Sequence, residues 1–504
     1  MGDGRRLNWD RGDFALPETS SRQDRVVVIG GGLSGLTVAH RIVERAKQAR
    51  KAVEVVLLEA KDRIGGAIWT NRGDGFTLEG GADSFITNKP WGVDLCRELG
   101  LEDQLISPDA QHRRSFVVRQ GRLVPVPEGF VLMAPNRLGP ILTTPILSVR
   151  GKLRMLMDLI LPRRDRDEQG DESLASFVKR RLGREALERL VQPLVGGIYT
   201  ADPNELSLRA TLPQFIAMEN EHRSLILGAL RQARAARSTE RFASGARYGL
   251  FVTLADGMDT LPRTLAAALP DGTIRTSTPV RRIHRPDSIS PWRVELLSGL
   301  PIEASAVVLA TEAHASARLV DGFDSDLALQ LRSIPYASSV IVNVAYRRDQ
   351  VAHPLDGFGA VVPAIEGRSI LAVSFLSVKF PGRAPAGKVL LRVFVGGATQ
   401  PDLYECDDTR IGQIVRQELG DLLGTFGDPL FMQVGRHPRA MPQYTLGHID
   451  RVGAIRERLS RHPRLIMTGN AFDGVGIPDC IRGAKAAADS AFNALADPAA
   501  TAAA

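Results

Sequence analysis

The 504-residue chain carries 64 Lys and Arg against 57 Asp and Glu, a net charge of +7, with 44% hydrophobic and 24% charged residues. This excludes a disordered tail protein and a collagen-like fibre, and the length calls for roughly two to four domains. Cys96, Cys406 and Cys480 lie far apart with no CxxC, and the nine histidines include no HxH or HExxH pair. Neither a disulfide framework nor a metal site is signalled, and a cytoplasmic setting fits. The modest charge and the lack of a zinc-finger or RNP pattern argue against a nucleic-acid partner.

Residues 1–24 are polar, carry both charge signs and read as a flexible leader, not a secretory signal. Arg25–Ile29 (RVVVI) is a short buried strand, and it runs into Gly30, Gly31, Gly32, Leu33, Ser34 and Gly35 before helical periodicity over Leu36–Arg45. Strand, glycine turn and helix in this order aim backbone N–H groups and a helix N-terminus at a pyrophosphate. Val53–Leu58 is a second strand ending at Glu59, 24 positions beyond Gly35, where a carboxylate can accept from an adenosine ribose and repels a 2′-phosphate. Ala60 follows, then Arg63 beside Gly65 and Gly66, an arginine that can approach a cofactor closely.

The Phe130–Pro162 stretch is apolar but is interrupted by three prolines and by Arg137, Arg150, Lys152 and Arg154. No run in it reaches the roughly 20 uninterrupted apolar residues of a membrane span, and it reads either as core or as a segment lying on a membrane face or lining a greasy pocket. Glu172–Leu190 is amphipathic, and Leu225–Arg237 is a basic helix. Alternation over Val340–Tyr346, Ile370–Phe375 and Val389–Val395 predicts an antiparallel sheet, with Ile411–Leu423 as a helix across it. Ala306–Ala310 and Arg464–Thr468 read as further strands of the nucleotide-binding fold. A terminal helix over Pro478–Leu495 opens with Pro478 and Asp479, residues suited to a first turn.

GGGLSGL followed by EAKDRIGG resembles the N-terminal signature of the FAD-dependent amine oxidase and protoporphyrinogen oxidase superfamily. The resemblance, not the glycine spacing, implies FAD. It also implies cofactor contacts at Gly81 and Ala82 in the EGGADS turn and at Val280 at the adenine end. GNAFDGVGIPDC resembles the C-terminal flavin motif of the porphyrinogen oxidases, which implies contacts at Gly469, Val475, Gly476 and Ile477. Amine oxidases usually carry glutamate where this chain has Asn470, a departure that argues against an amine substrate.

QPLVGGIYTADPNELSLRATLPQF is similar to the corresponding block of the porphyrinogen oxidases, and the Arg247–Pro262 stretch with Tyr248 resembles their return to the flavin domain. The resemblance implies substrate contacts at Gly197, in a turn that leaves room for a tetrapyrrole, at Phe380 against the ring and at Lys89 near a propionate. Taken alone, these three residues also read as a tight turn, core and a solvated lysine. His448 reads as a structural residue before a base, and no catalytic residue is assigned.

The expected fold is α/β. It combines a discontinuous Rossmann-like FAD-binding domain (25–94, 251–315, 441–495), an antiparallel-sheet substrate domain (211–250, 316–440), a helical, membrane-associating insertion (95–210) and a flexible tail (496–504). The expected activity is oxygen-dependent oxidation of protoporphyrinogen IX to protoporphyrin IX by hydride transfer to FAD. Oxidation of coproporphyrinogen III is the alternative, and amine oxidation a further one. Porphyrinogen and dioxygen are the expected partners, and the reading allows a homodimer and peripheral association with the cytoplasmic membrane.

Overall fold

A computed structural model describes residues 23–164, 170–240, 251–285 and 290–495, without the side chains of 236–240. Arg247, Tyr248, the tail and all of the expected leader but Gln23 and Asp24 lie outside the described residues.

The strand Asp24–Ile29 is central to a five-stranded parallel sheet in the order Ile274–Arg275, Val53–Leu58, Asp24–Ile29, Ala306–Leu309, Leu465–Met467. Its near-continuous apolar run is what a parallel strand covered on both faces requires. Val26 and Val28 pack toward the helices Leu33–Ala49 and Ile477–Ala494, and Val27 and Ile29 toward Ala313–Val320 and Ser325–Arg332. Val26, Val27 and Val28 are fully buried, and each side chain is worth roughly 1.5–3 kcal/mol. The first and last helices are also tied by Arg41 and Arg45, which reach Asp489 at 3.1 and 2.9 Å. The order of strands reverses beside Asp24–Ile29, so a crevice opens at its carboxyl end, where an open α/β sheet binds ligands.

A second sheet has seven strands in the order Phe431–Pro442, Tyr336–Arg347, Lys388–Gly396, Ala372–Phe375, Gly359–Val361, Phe116–Arg119, Arg122–Pro125. The long central pairs are antiparallel, whereas Gly359–Val361 and Phe116–Arg119 run parallel. Residues 116–125, expected within the helical insertion, therefore form the edge of this sheet. They follow the period-two pattern of a strand, with Phe116 and Val118 turned into the sheet's core. Alternation sends Val340, Val342, Val344 and Tyr346 to one face, against Ile411, Val415 and Leu419 of the helix Asp408–Leu423. The Asp407 side chain caps that helix by accepting from the Arg410 N–H at 2.7 Å. The opposite face carries Asn343 and Arg392 and is turned toward the flavin-motif segments.

Helices between Gly139 and Glu240 share a separate core that includes Ile141, Ile146, Leu147 and Met155. Inside it Asp158 and Arg181 are fully buried and paired at 2.5 Å, and Asp158 also accepts from the Ser224 hydroxyl and the Ile226 N–H. Of the two readings of Phe130–Pro162, each holds for part of the segment. Leu142, Val149, Leu153, Met157 and Ile160 are exposed, and Val149 and Ile160 are more than 70% exposed. Among the described residues, no helix is long and apolar enough to cross a membrane.

Candidate cofactor and active site

The glycine turn is built by close backbone approach. A Cβ on Gly35 would lie 1.8 Å from the Gly30 carbonyl oxygen, and one on Gly30, at φ +111°, would lie 2.7 Å from that of Ala310. The helix Leu33–Ala49 begins at Gly32 with no side-chain cap and no acidic residue in its first turn. Its leading N–H groups are thus left to an anion, as a pyrophosphate requires. Leu33 and Ser34 are buried in this first turn.

Glu59 ends the neighbouring strand and crosses the turn. One carboxylate oxygen accepts from the Gly31 N–H at 2.7 Å and the other from the Lys61 N–H at 2.8 Å. Its position is thereby fixed, with lone pairs remaining for a ribose. Ala60 and Arg63 are exposed at the rim. Val280 begins the strand Val280–His284 close by, since the Thr278 N–H donates to the Glu59 carbonyl at 2.8 Å.

From the turn a track of backbone leads across the molecule. The Gly65 N–H donates to the Gly31 carbonyl at 2.8 Å, Gly32 and Gly65 form a parallel bridge, and a Cβ on Gly66 would lie 3.1 Å from the Gly32 Cα. Ala67 then meets Gly81, where a Cβ would lie 1.8 Å from the Ala67 carbonyl oxygen. Ala82 is exposed beside it.

Buried charge lies under this second turn. Glu79, fully buried, accepts from the Thr70 hydroxyl at 2.8 Å and the Met258 N–H at 3.1 Å, and its pKa is raised by burial against the opposing pull of Arg383. Burial opposes the charge on Asp83 too, but Lys379 at 3.2 Å and Arg392 at 3.5 Å hold that carboxyl well below the ordinary range.

The C-terminal motif closes the cradle. Gly469 at φ +137° follows the strand Leu465–Met467, and Gly476 leads into the helix Ile477–Ala494 without a side-chain cap. Val475 and Gly476 are half-buried, and Ile477 is in the core. Tyr444 fixes this loop. Its hydroxyl donates to the Asn470 carbonyl at 2.7 Å and accepts from the Gly474 N–H at 2.8 Å. His448 stacks on that ring at 3.8 Å, fully buried, with burial lowering its pKa to about 4. A neutral, enclosed imidazole is a packing residue.

The residues expected at the substrate have different surroundings. Lys89 reaches Asp479, in the first turn of the terminal helix, at 2.5 Å, with its own side chain 41% exposed. Gly197 is exposed but lies in the helix Gln192–Tyr199, which ends at Thr200 in a left-handed conformation, so it is not in a turn. Phe380 is fully enclosed by Phe76, Leu78, Leu376 and Leu390. These are the surroundings of a core residue. Asn343, Arg392 and His437, each bonded to the Glu79–Gly81 backbone, were not anticipated. The odd presence of Asn343 and Arg392 within apolar runs is a signal for those two, whereas nothing in QVGRHPRA marks His437.

The uncapped helix starts, the glycine track and the fixed carboxylate fit an extended dinucleotide. Flavin-containing amine oxidoreductases match over residues 33–491. The chain is 34% identical to the coproporphyrinogen III oxidase of Bacillus subtilis (strain 168), over 94% of this chain and 99% of that protein. It is 29% identical to the chloroplastic protoporphyrinogen oxidase 1 of Arabidopsis thaliana, over 91% and 86%. A crystal structure assigned as a protoporphyrinogen oxidase from Exiguobacterium sp. 255-15 superposes with a TM-score of 0.82 at 32% identity, covering 94% of this chain and 99% of that one. The chain therefore belongs to the flavin-containing amine oxidoreductase family, in its porphyrinogen oxidase branch, and its cofactor is FAD.

Proposed function

We propose that this chain oxidises coproporphyrinogen III to coproporphyrin III, with dioxygen as the electron acceptor. The observation that carries the reading is end-to-end similarity to relatives of that name, at 34% identity in both Bacillus subtilis and Propionibacterium freudenreichii. Bound FAD supplies the hydride acceptor. Gly30, Gly32, Leu33, Ser34 and Gly35 would hold its pyrophosphate, Glu59, Ala60 and Val280 its adenosine end, and Arg63, Gly65 and Gly66 the stretch that follows. Gly81, Ala82, Gly469, Val475, Gly476 and Ile477 would hold the ring end.

The protein's contribution is placement. Loss of hydride from a methylene bridge leaves a conjugated cation that readily releases a proton, so the chemistry calls for no strong base. This accords with a site in which His448 is packed away and His437 is engaged with the Gly80 carbonyl. Complete oxidation removes six electrons and six protons, which three dioxygen molecules take up as three hydrogen peroxides. Lys89, held at the mouth by Asp479, would offer its ammonium to a propionate, and Gly197 would leave room for the ring.

Protoporphyrinogen IX, the substrate expected from the sequence, is the second reading, supported by one feature. Val149, Leu153, Met157 and Ile160 form an exposed apolar stripe flanked by Arg150, Lys152 and Arg163, suited to peripheral contact with an anionic bilayer that would deliver a poorly soluble substrate. Parallel assays of porphyrin fluorescence with both porphyrinogens, corrected for autoxidation, decide between them. Faster turnover of coproporphyrinogen III is expected. Faster turnover of protoporphyrinogen IX selects the second reading, and no rate above the enzyme-free control with bound flavin rejects both.

A further inference from the structure

Three consecutive carbonyls of the turn that follows Phe76–Glu79 are each held by a side chain from the seven-stranded sheet. The Glu79 carbonyl accepts from the Asn343 amide at 3.1 Å, the Gly80 carbonyl from His437 Nε2 at 2.8 Å, and the Gly81 carbonyl from the Arg392 guanidinium. The three donors come from three adjacent strands. Asn343 pairs directly with Arg392, and His437 pairs with Ser339, four residues from Asn343 and hence on the same face. Asn343 and Arg392 are 1% and 3% exposed, so their polar ends have been carried into the interior to make these contacts. Because the acceptors are carbonyls, His437 donates from a protonated Nε2.

The peptide plane converts this grip into a direction. In a trans peptide the N–H points opposite to the C=O. Holding the Glu79 carbonyl sends the Gly80 N–H away from the sheet, where it meets the Trp69 carbonyl at 2.9 Å. Holding the Gly80 and Gly81 carbonyls sends the Gly81 and Ala82 N–H groups the same way, and among the described residues no protein acceptor takes either. These two donors stand at the end of the backbone track that starts at the glycine turn and passes through Gly66 and Ala67 to Gly81.

We propose that His437, Arg392 and Asn343 form a clamp that aims the Gly81 and Ala82 N–H groups at the ring end of bound FAD, where they stabilise the electron density gained on reduction. These are positioning residues that act through the turn. The clamp makes the flavin's readiness to accept electrons depend on the seating of the substrate sheet, since all three donors belong to that sheet. The inference rests on the flavin and not on the identity of the porphyrinogen.

The test is the midpoint potential of the bound flavin, titrated by slow enzymatic reduction against a reference dye with no porphyrinogen present. His437→Leu removes one donor at a half-buried position, whereas His437→Gln keeps an N–H at similar reach. The expected result is a lower potential in H437L, restored in H437Q, and a smaller downward shift in Asn343→Leu, whose peptide is already anchored on Trp69. If H437L does not retain flavin, N343L decides. A potential equal to that of the wild type in the flavin-retaining Leu variants, or a shift in H437Q as large as in H437L, overturns the clamp. A shifted potential in an enzyme that oxidises no porphyrinogen would leave the clamp standing and reject the proposed function.

Discussion

The two ends of the cofactor cradle are made in different ways. At the Gly30–Gly35 end the groups proposed to meet the dinucleotide are backbone N–H groups and one carboxylate, all within a single strand–turn–helix–strand unit. At the Glu79–Ser84 end the backbone is again what faces the cleft, but its orientation is imposed by side chains more than 260 positions away in sequence. A local unit specifies its geometry by excluding Cβ atoms, so its tolerance is steric and abrupt. A turn gripped from another sheet depends on hydrogen bonds and ion pairs, so its tolerance should be graded.

The steepest expectation comes from the local end. Gly35→Val forces a side chain into the Gly30 carbonyl and should destabilise the fold by more than about 4 kcal/mol, read as loss of soluble yellow protein. Gly32→Ala sharpens the contrast, because its Cβ would meet only the Gly66 Cα at 3.8 Å. That variant should keep the wild-type unfolding temperature as apoprotein while losing FAD affinity. Equal damage from both would break the claim that one glycine serves packing and the other the ligand.

At the gripped end, Asp83→Asn leaves Arg392 and Lys379 without their carboxylate and should cost about 3 kcal/mol, measured by denaturant titration at neutral pH. The pH dependence has a definite sign. The folded pKa of Asp83 lies below its unfolded value, so its stabilisation is fully present above the ordinary carboxylate value of about 3.9 and is lost as pH falls below it. D83N should flatten the acid limb of the stability profile, and an unchanged limb would show that the pair is not formed. Tyr444→Phe removes the hydroxyl that bridges Asn470 and Gly474 and should cost about 1–2 kcal/mol, with faster flavin release. The smallest effect on stability is expected outside the cradle. Leu153→Glu, on an exposed helical position, should change stability by less than about 0.5 kcal/mol, and on the protoporphyrinogen reading it should also reduce co-sedimentation with anionic vesicles.

How much of this was legible followed the same division. The parallel strands were readable because their apolar runs are uninterrupted, and the central strands of the second sheet because their alternation is regular over Val340–Tyr346 and Val389–Val395. The strands at 116–125 were hidden by their brevity and by the helical segments that follow. Phe130–Pro162 showed its apolarity but not its sidedness. Ile141 and Met155 face the core while Val149 and Leu153 face outward, a distinction set by the neighbouring helices.

By itself the sequence determined the dinucleotide end, since strand, glycine turn, helix and carboxylate all lie within residues 24–59 and their geometry follows from local sterics. It also carried the family, through motifs at both termini. Only the tertiary structure decided that Phe380 is enclosed by Phe76, Leu78, Leu376 and Leu390, that Lys89 is paired with Asp479, and that Asn343, Arg392 and His437 share one face above the Gly80–Gly81 backbone. Those relations join residues from distant segments through sheet register and interdomain packing. No local period encodes which buried polar group will meet which carbonyl.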